Sequence, residues 1–195
     1  MFAPTISKDD LKLLPTGQFQ GTIHVINDAH TADFMCDRLI HEPLIGFDTE
    51  TRPSFTKGKV NRVALLQLTS GTDAYLFRLQ KTGLPEKLIG ILSNEKILKV
   101  GAAIRDDIRH LKKIRHFEEG GFIELQEFVR DFGIINSGLS KLAGIVLNFR
   151  ISKSQQLSNW ESEVLSEAQQ LYAATDAWVA REIYSTLINR QLLDK

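Results

Sequence analysis

An α/β fold, with a mixed sheet and helices on both of its faces, is predicted by three observations. Apolar runs of strand length, separated by turn residues, lead up to Phe77; strand-like and helical stretches alternate after it; and the pattern is helical from Leu139 onward. A length of 195 residues with 43% hydrophobic and 25% charged residues suffices for one well-buried domain. The chain has no repeat, low-complexity run or long Pro/Gly/Ser linker. It therefore reads as one domain over residues 22–195 behind an N-terminal extension over residues 1–21.

In the extension, Ser7 stands before Lys8-Asp9-Asp10-Leu11 and is placed to cap a short helix that stops near Pro15. Phe19 to Ile26 alternates apolar and polar residues as a strand does, and His30 to Ile40 reads as a helix. Leu44 to Glu50, Arg62 to Thr69 and Ala74 to Phe77 are separated by Pro53, Gly58 and Gly71, which predicts a three-strand antiparallel meander. Its first strand is mostly apolar and so belongs inside the sheet. Beyond it come a helix near Pro85 to Leu92, a strand over Lys96 to Val100, a helix over Ile104 to Ile114 and a short strand end at Phe122 to Leu125. Helix follows from Leu139.

Lys plus Arg is 24 and Asp plus Glu is 24, so net charge gives no argument for a polyanionic partner, and any nucleic-acid surface must be local. Apolar runs such as Val63 to Leu66 are far shorter than the roughly 20 residues of a bilayer-spanning helix. Met1 to Lys8 lacks a basic region followed by an apolar one, so a cytoplasmic location without a membrane partner is expected. The single cysteine, Cys36, makes neither an internal disulfide nor a cysteine zinc site, and the five histidines show no metal-ligand spacing.

Acids stand where acids are costly. Asp48 and Glu50 are two apart on the first meander strand, so both side chains point to one side of the sheet and repel each other. A cation between them removes the repulsion, and hard oxygen donors suit Mg²⁺ or Mn²⁺. On the helix after Gly101, Ile104, Ile108 and Leu111 define an apolar face. Asp107 lies about 60° from its centre, while Asp106 lies nearly opposite it. Asp107 therefore borders the core and Asp106 faces water. Further along, Leu165, Tyr172, Asp176, Val179, Ile183 and Leu187 fall on one helical stripe. An aspartate there loses hydration unless something cationic compensates it, and Tyr172, four residues earlier, projects to the same spot. Together these acids make a metal cage.

Phe47-Asp48-Thr49-Glu50, Val100-Gly101 with Asp107 beyond, and Tyr172-Ala173-Ala174-Thr175-Asp176-Ala177 resemble the three motifs of the DEDDy exonuclease family, as in ribonuclease D and the exonuclease domain of the Werner syndrome helicase. Val63 to Leu68 and Leu157-Ser158-Asn159-Trp160 are similar to segments flanking those motifs, so the likeness covers roughly residues 22 to 190. The resemblance implies a ribonuclease H-like fold with a central mixed five-stranded sheet flanked by helices. It also implies hydrolysis of nucleic acid from the 3′ end to nucleoside 5′-monophosphates with two divalent cations, Mg²⁺ or Mn²⁺. Carried over, Asp48, Glu50 and Asp176 hold the cation that activates water, Asp48 also bridges to the second, and Asp107 binds that second ion through water. Tyr172 orients the attacking water.

Substrate contacts are more weakly marked. Arg105, Arg109, Lys112, Lys113 and His116 gather on one side of their helix, where they either track phosphates or solubilise an exposed face. Lys57, Lys59 and Arg62 near Gly58 are candidates for a loop beside the metals, Trp160 for stacking a base, and Thr49, by resemblance, for a backbone contact to the terminal nucleotide. Two other classes stay open: a non-catalytic nucleic-acid-binding or scaffolding module on the same fold, and an endonuclease. The first would bind strands without turnover; the second would cut a circular strand. Protein partners and the choice between DNA and RNA are not encoded in any motif.

Overall fold

The computed structural model describes residues 2–54 and 61–193. Ser7 caps α1 (Lys8–Leu13), accepting a hydrogen bond from the Asp10 amide at 3.0 Å. Strand β1 (Thr22–Ile26) and helix α2 (Ala29–Leu39), capped by Asp28, lead into β2 (Leu44–Thr51), β3 (Val63–Thr69) and β4 (Asp73–Arg78). Then come α3 (Leu79–Thr82), α4 (Glu86–Ser93), β5 (Leu98–Gly101), α5 (Arg105–Ile114), β6 (Phe122–Glu124), α6 (Leu125–Phe128), α7 (Leu139–Leu142) and the long α8 (Glu167–Leu193).

The strands form one mixed sheet in the order β1-β4-β3-β2-β5-β6. β2, β3 and β4 pair antiparallel as the expected meander, while β1, β5 and β6 add in parallel. The sheet thus has six strands, correcting the expected five. The sixth, β6, is the short strand end expected at Phe122 to Leu125, and it pairs with β5 through three residues. β2 lies inside the sheet between β3 and β5. Its Ile45 and Phe47 side chains join Leu66, Leu68 and Phe77 in a core covered by α2, α4 and α5. Its other face, with Val100, Leu65 and Leu76, meets α8 and the segment around Trp160. Each such large side chain, fully buried, contributes about 1.5–3 kcal/mol.

Two features depart from the sequence pattern. Helix does not run from Leu139 onward: α7 passes into a single π-helical turn, Ala143–Leu147, and stops at Asn148, whose φ of 58° is left-handed. Residues 148–166 are turns and extended chain, because the polar run Ser152-Lys153-Ser154-Gln155-Gln156 gives a helix no apolar face. The other feature is Lys99, fully buried on β5. Its ammonium donates to the Ile91, Asn94 and Ile97 carbonyls at 3.0, 2.7 and 2.7 Å and so ties the end of α4 to the sheet. Burial brings its pKa down to about 8.

The N-terminal residues dock onto the rest. Gly17 and Pro15 exchange backbone hydrogen bonds with Arg150, both at 2.9 Å, and Ile6 donates its amide to Asn136 Oδ1 at 2.9 Å. Leu11, Ile6 and Leu14 crowd over Gly144, where a Cβ would lie 2.6 Å from Leu11 Cδ1.

Candidate active site

Gly46 decides how close α8 comes to β2. A Cβ on Gly46 would overlap the Ala177 carbonyl oxygen and come within 2.5 Å of Thr69 Oγ1, so only glycine permits this contact between helix and strand backbones. Asp176, one residue before that carbonyl, is thereby held over Asp48 and Glu50. Carboxylate oxygens of Asp48, Glu50 and Asp176 all lie within 4.8 Å of one another.

Burial raises these carboxyls, and mutual repulsion adds to it at Asp48 and Glu50. Burial pushes Asp48 well above the ordinary carboxylate range, with Asp176, Glu50 and Asp107 adding to it and the Thr49 amide opposing it. Burial, then Asp176 and Asp107, push Glu50 up to about 8. Burial brings Asp176 to about 7 against the pull of the Tyr172 hydroxyl and Lys153. One Asp176 oxygen, Oδ1, is buried without a hydrogen-bond partner. An acceptor left in that state is what a coordinated cation satisfies, and a set of hard carboxylate oxygens fits a divalent metal.

Asp107 stands beside this trio rather than in it. It accepts a hydrogen bond from Thr49 Oγ1 at 2.5 Å, and burial raises it to about 6. Its helix, α5, has no capping side chain of its own. Glu124 of β6 substitutes for one, accepting from the Ala103 and Ile104 amides at 2.8 and 2.9 Å and fixing the turn in which Ala103 adopts φ 63°. Asp106 faces water with 70% of its side chain exposed, paired to Arg109. Tyr172 lies against the trio and packs on Trp160 at 5.9 Å between ring centroids. Burial, Asp176 and Glu50 push its phenol well above the usual range, so it keeps its proton.

Residues 23–191 match the family described as 3′-5′ exonuclease. The chain belongs to the 3′–5′ exonuclease family. It is 33% identical over 192 residues to the bifunctional 3′-5′ exonuclease/ATP-dependent helicase WRN of Mus musculus, covering 90% of this chain and 13% of that one. It is 34% identical over 158 residues to exonuclease 3′-5′ domain-containing protein 2 of Homo sapiens, covering 75% of this chain and 25% of that one. The chain therefore spans a quarter or less of these relatives' length. Among solved structures, the Nibbler EXO domain of Aedes aegypti superposes with a TM-score of 0.82 at 24% identity, covering 92% of this chain and 94% of that one. The fold is ribonuclease H-like, a six-stranded mixed sheet flanked by helices.

Within the exonuclease domain, the expected substrate residues separate. Trp160 is fully buried, so no face of the indole is open to stack a base. The Thr49 amide donates to Asp48 Oδ1 at 2.9 Å and its hydroxyl to Asp107, so both its donors serve the acids. Arg62 is exposed and lines a cavity of about 970 Å³ with His110 and Lys113. Lys57 and Lys59 lie outside the described residues. Three of the α5 cations are paired: Arg105 with Glu127, Arg109 with Asp106 and Lys112 with Glu119; beyond the helix, His116 contacts Glu118. Two site residues escaped sequence reasoning. One is Gly46, whose signal is a glycine inside an apolar strand two residues before an acid. The other is Gln67, the register partner of Asp48, fully buried with neither amide atom hydrogen-bonded; its signal is a lone amide in Val63-Ala64-Leu65-Leu66-Gln67-Leu68.

Proposed function

We propose that this chain removes nucleotides one at a time from the 3′ end of nucleic acid, releasing nucleoside 5′-monophosphates. The observation that carries the reading is the meeting of Asp48, Glu50 and Asp176 within 4.8 Å, with an Asp176 oxygen buried and unpartnered. Asp48, Glu50 and Asp176 would hold one divalent cation, and Asp48 with Asp107 a second, Mg²⁺ or Mn²⁺. When bound, the pair supplies positive charge to the attacking and leaving oxygens of an in-line displacement at phosphorus.

The chain's own residues supply position. Asp48 is fixed by the Thr49 amide and Asp107 by the Thr49 hydroxyl, so one strand residue sets two acids. Tyr172, holding its proton, donates the hydrogen bond that orients the attacking water, which becomes part of the released 5′-phosphate while the upstream 3′-oxygen leaves.

The test uses 5′-labelled DNA and RNA strands with Mg²⁺ or Mn²⁺. Shortening in one-nucleotide steps is expected, abolished in Asp48→Ala and slowed in Tyr172→Phe, which retains its metal affinity. No mononucleotide release from either polymer with either metal overturns the reading.

A further inference from the structure

A groove of about 690 Å³ opens onto Tyr172 and Asp176 and runs away from them between the N-terminal segment, the start of α7 and the chain around Arg150. Its walls carry Lys8, Lys12, Lys141, Arg150 and Lys153, and Asp176 at its inner end is the only acid among its described lining residues. Lys8, Lys141, Arg150 and Lys153 form no ion pair among the described residues, and Lys12 pairs only with Asp9 there, both side chains being largely exposed. Arg150 uses Nε to hold the Leu14 carbonyl at 3.2 Å, which leaves the other guanidinium nitrogens to the groove. On α5, by contrast, Arg105, Arg109 and Lys112 each pair with an acid.

In a chain of zero net charge, a cleft lined by five cations, four of them without an ion pair among the described residues, concentrates positive potential where it ends at the acidic cluster. We infer that this groove is the track for the single strand upstream of its 3′ end, with the N-terminal segment as one wall and its lysines as phosphate contacts. The inference rests on the nuclease reading for the identity of its ligand. Lys8 and Lys12 precede residues 23–191, the stretch that matches the exonuclease family. Its anchorage is built in. The backbone exchange with Arg150, the Ile6–Asn136 bond and the seat of Leu11 over Gly144 hold α1 on the groove rim and leave its lysines exposed.

The groove differs from a passive solvated face in its salt dependence. Each phosphate neutralised on a single strand contributes about 0.7 to the slope of log affinity against log salt. Binding of a short labelled DNA or RNA strand is measured by anisotropy with Mg²⁺ in an Asp48→Ala background, where no turnover interferes. The wild-type groove is compared with a Lys8→Gln, Lys12→Gln, Lys141→Gln triple variant. Lys8 and Lys12 are exposed and Lys141 is half-buried, and circular dichroism checks that their loss leaves the fold intact. The expected result is a slope smaller by about 2 in the triple variant. An Arg105→Gln, Arg109→Gln, Lys112→Gln variant on α5 serves as comparison and is expected to change it less.

An unchanged slope in the groove variant, or a larger loss in the α5 variant, overturns the inference. Salt-dependent binding that the groove variant loses supports it even if the protein with Asp48 intact releases no nucleotide. That outcome would remove the nuclease reading and leave the strand-binding groove.

Discussion

Asp176 is an acid placed where ionisation is costly. Its Oδ1 is buried without a partner, and two more carboxylates lie within 4.8 Å. Replacing it by a neutral isostere should therefore stabilise the metal-free protein while destroying the cage. At pH 8 in chelator, Asp176→Asn is expected to gain about 1–3 kcal/mol in urea unfolding and to lose Mn²⁺ binding. The pH dependence has the same origin. Glu50 at about 8 and Asp176 at about 7 lie above the ordinary carboxylate range near 4, so the folded state takes up protons before the unfolded state does. Stability of the metal-free wild type should rise as pH falls from above 8 toward about 4, and less steeply in Asp176→Asn. A flat wild-type profile would contradict the assignment. At this scale much was readable from sequence: helical geometry alone separated half-buried Asp107 from exposed Asp106. The bond from Thr49 to Asp107 was not, because it joins a strand to a helix 58 residues away, and only the sheet's stacking brings them together.

The contact of β2 with α8 is the element-level device that makes the site. Gly46→Ala forces the Ala177 carbonyl away, shifting the helix that carries Asp176 and Tyr172. The expected cost is about 1–3 kcal/mol of stability, with Mn²⁺ affinity lowered by about tenfold or more. Wild-type metal affinity in the Gly46→Ala variant would show that the helix position is set elsewhere. The meander, α2, α4 and α5 followed from periodicity and turn residues, since each presents one clear apolar face or a short buried run. The stretch over 148–166 did not, because it is held by particular hydrogen bonds such as Arg78 to the Ser162 and Glu163 carbonyls. The docking of the N-terminal residues was likewise invisible, because backbone exchange with Arg150 leaves no mark on side-chain pattern.

Across the whole molecule, the candidate site joins the first strand of the meander to α8, so cation binding and global folding are linked. A ligand that binds only the native state stabilises it by about 2.7 kcal/mol at 100 times its dissociation constant. Mn²⁺ at that concentration should raise the urea midpoint of the wild type by the corresponding amount and leave Asp48→Ala unmoved. A midpoint insensitive to Mn²⁺ would mean that the acids hold no cation. The span from Asp48 to Asp176 also has a consequence for biosynthesis. Chains are made from the N-terminus at about 5–20 residues per second, and the early sheet can form while α8 is still within the ribosome. Until α8 emerges, the nascent polypeptide has the paired acids of β2 but neither Asp176 nor Tyr172. A product stopped short of that helix would thus lack Asp176 and Tyr172, and the full acidic cluster would form only when the two halves of the cage have both left the exit tunnel.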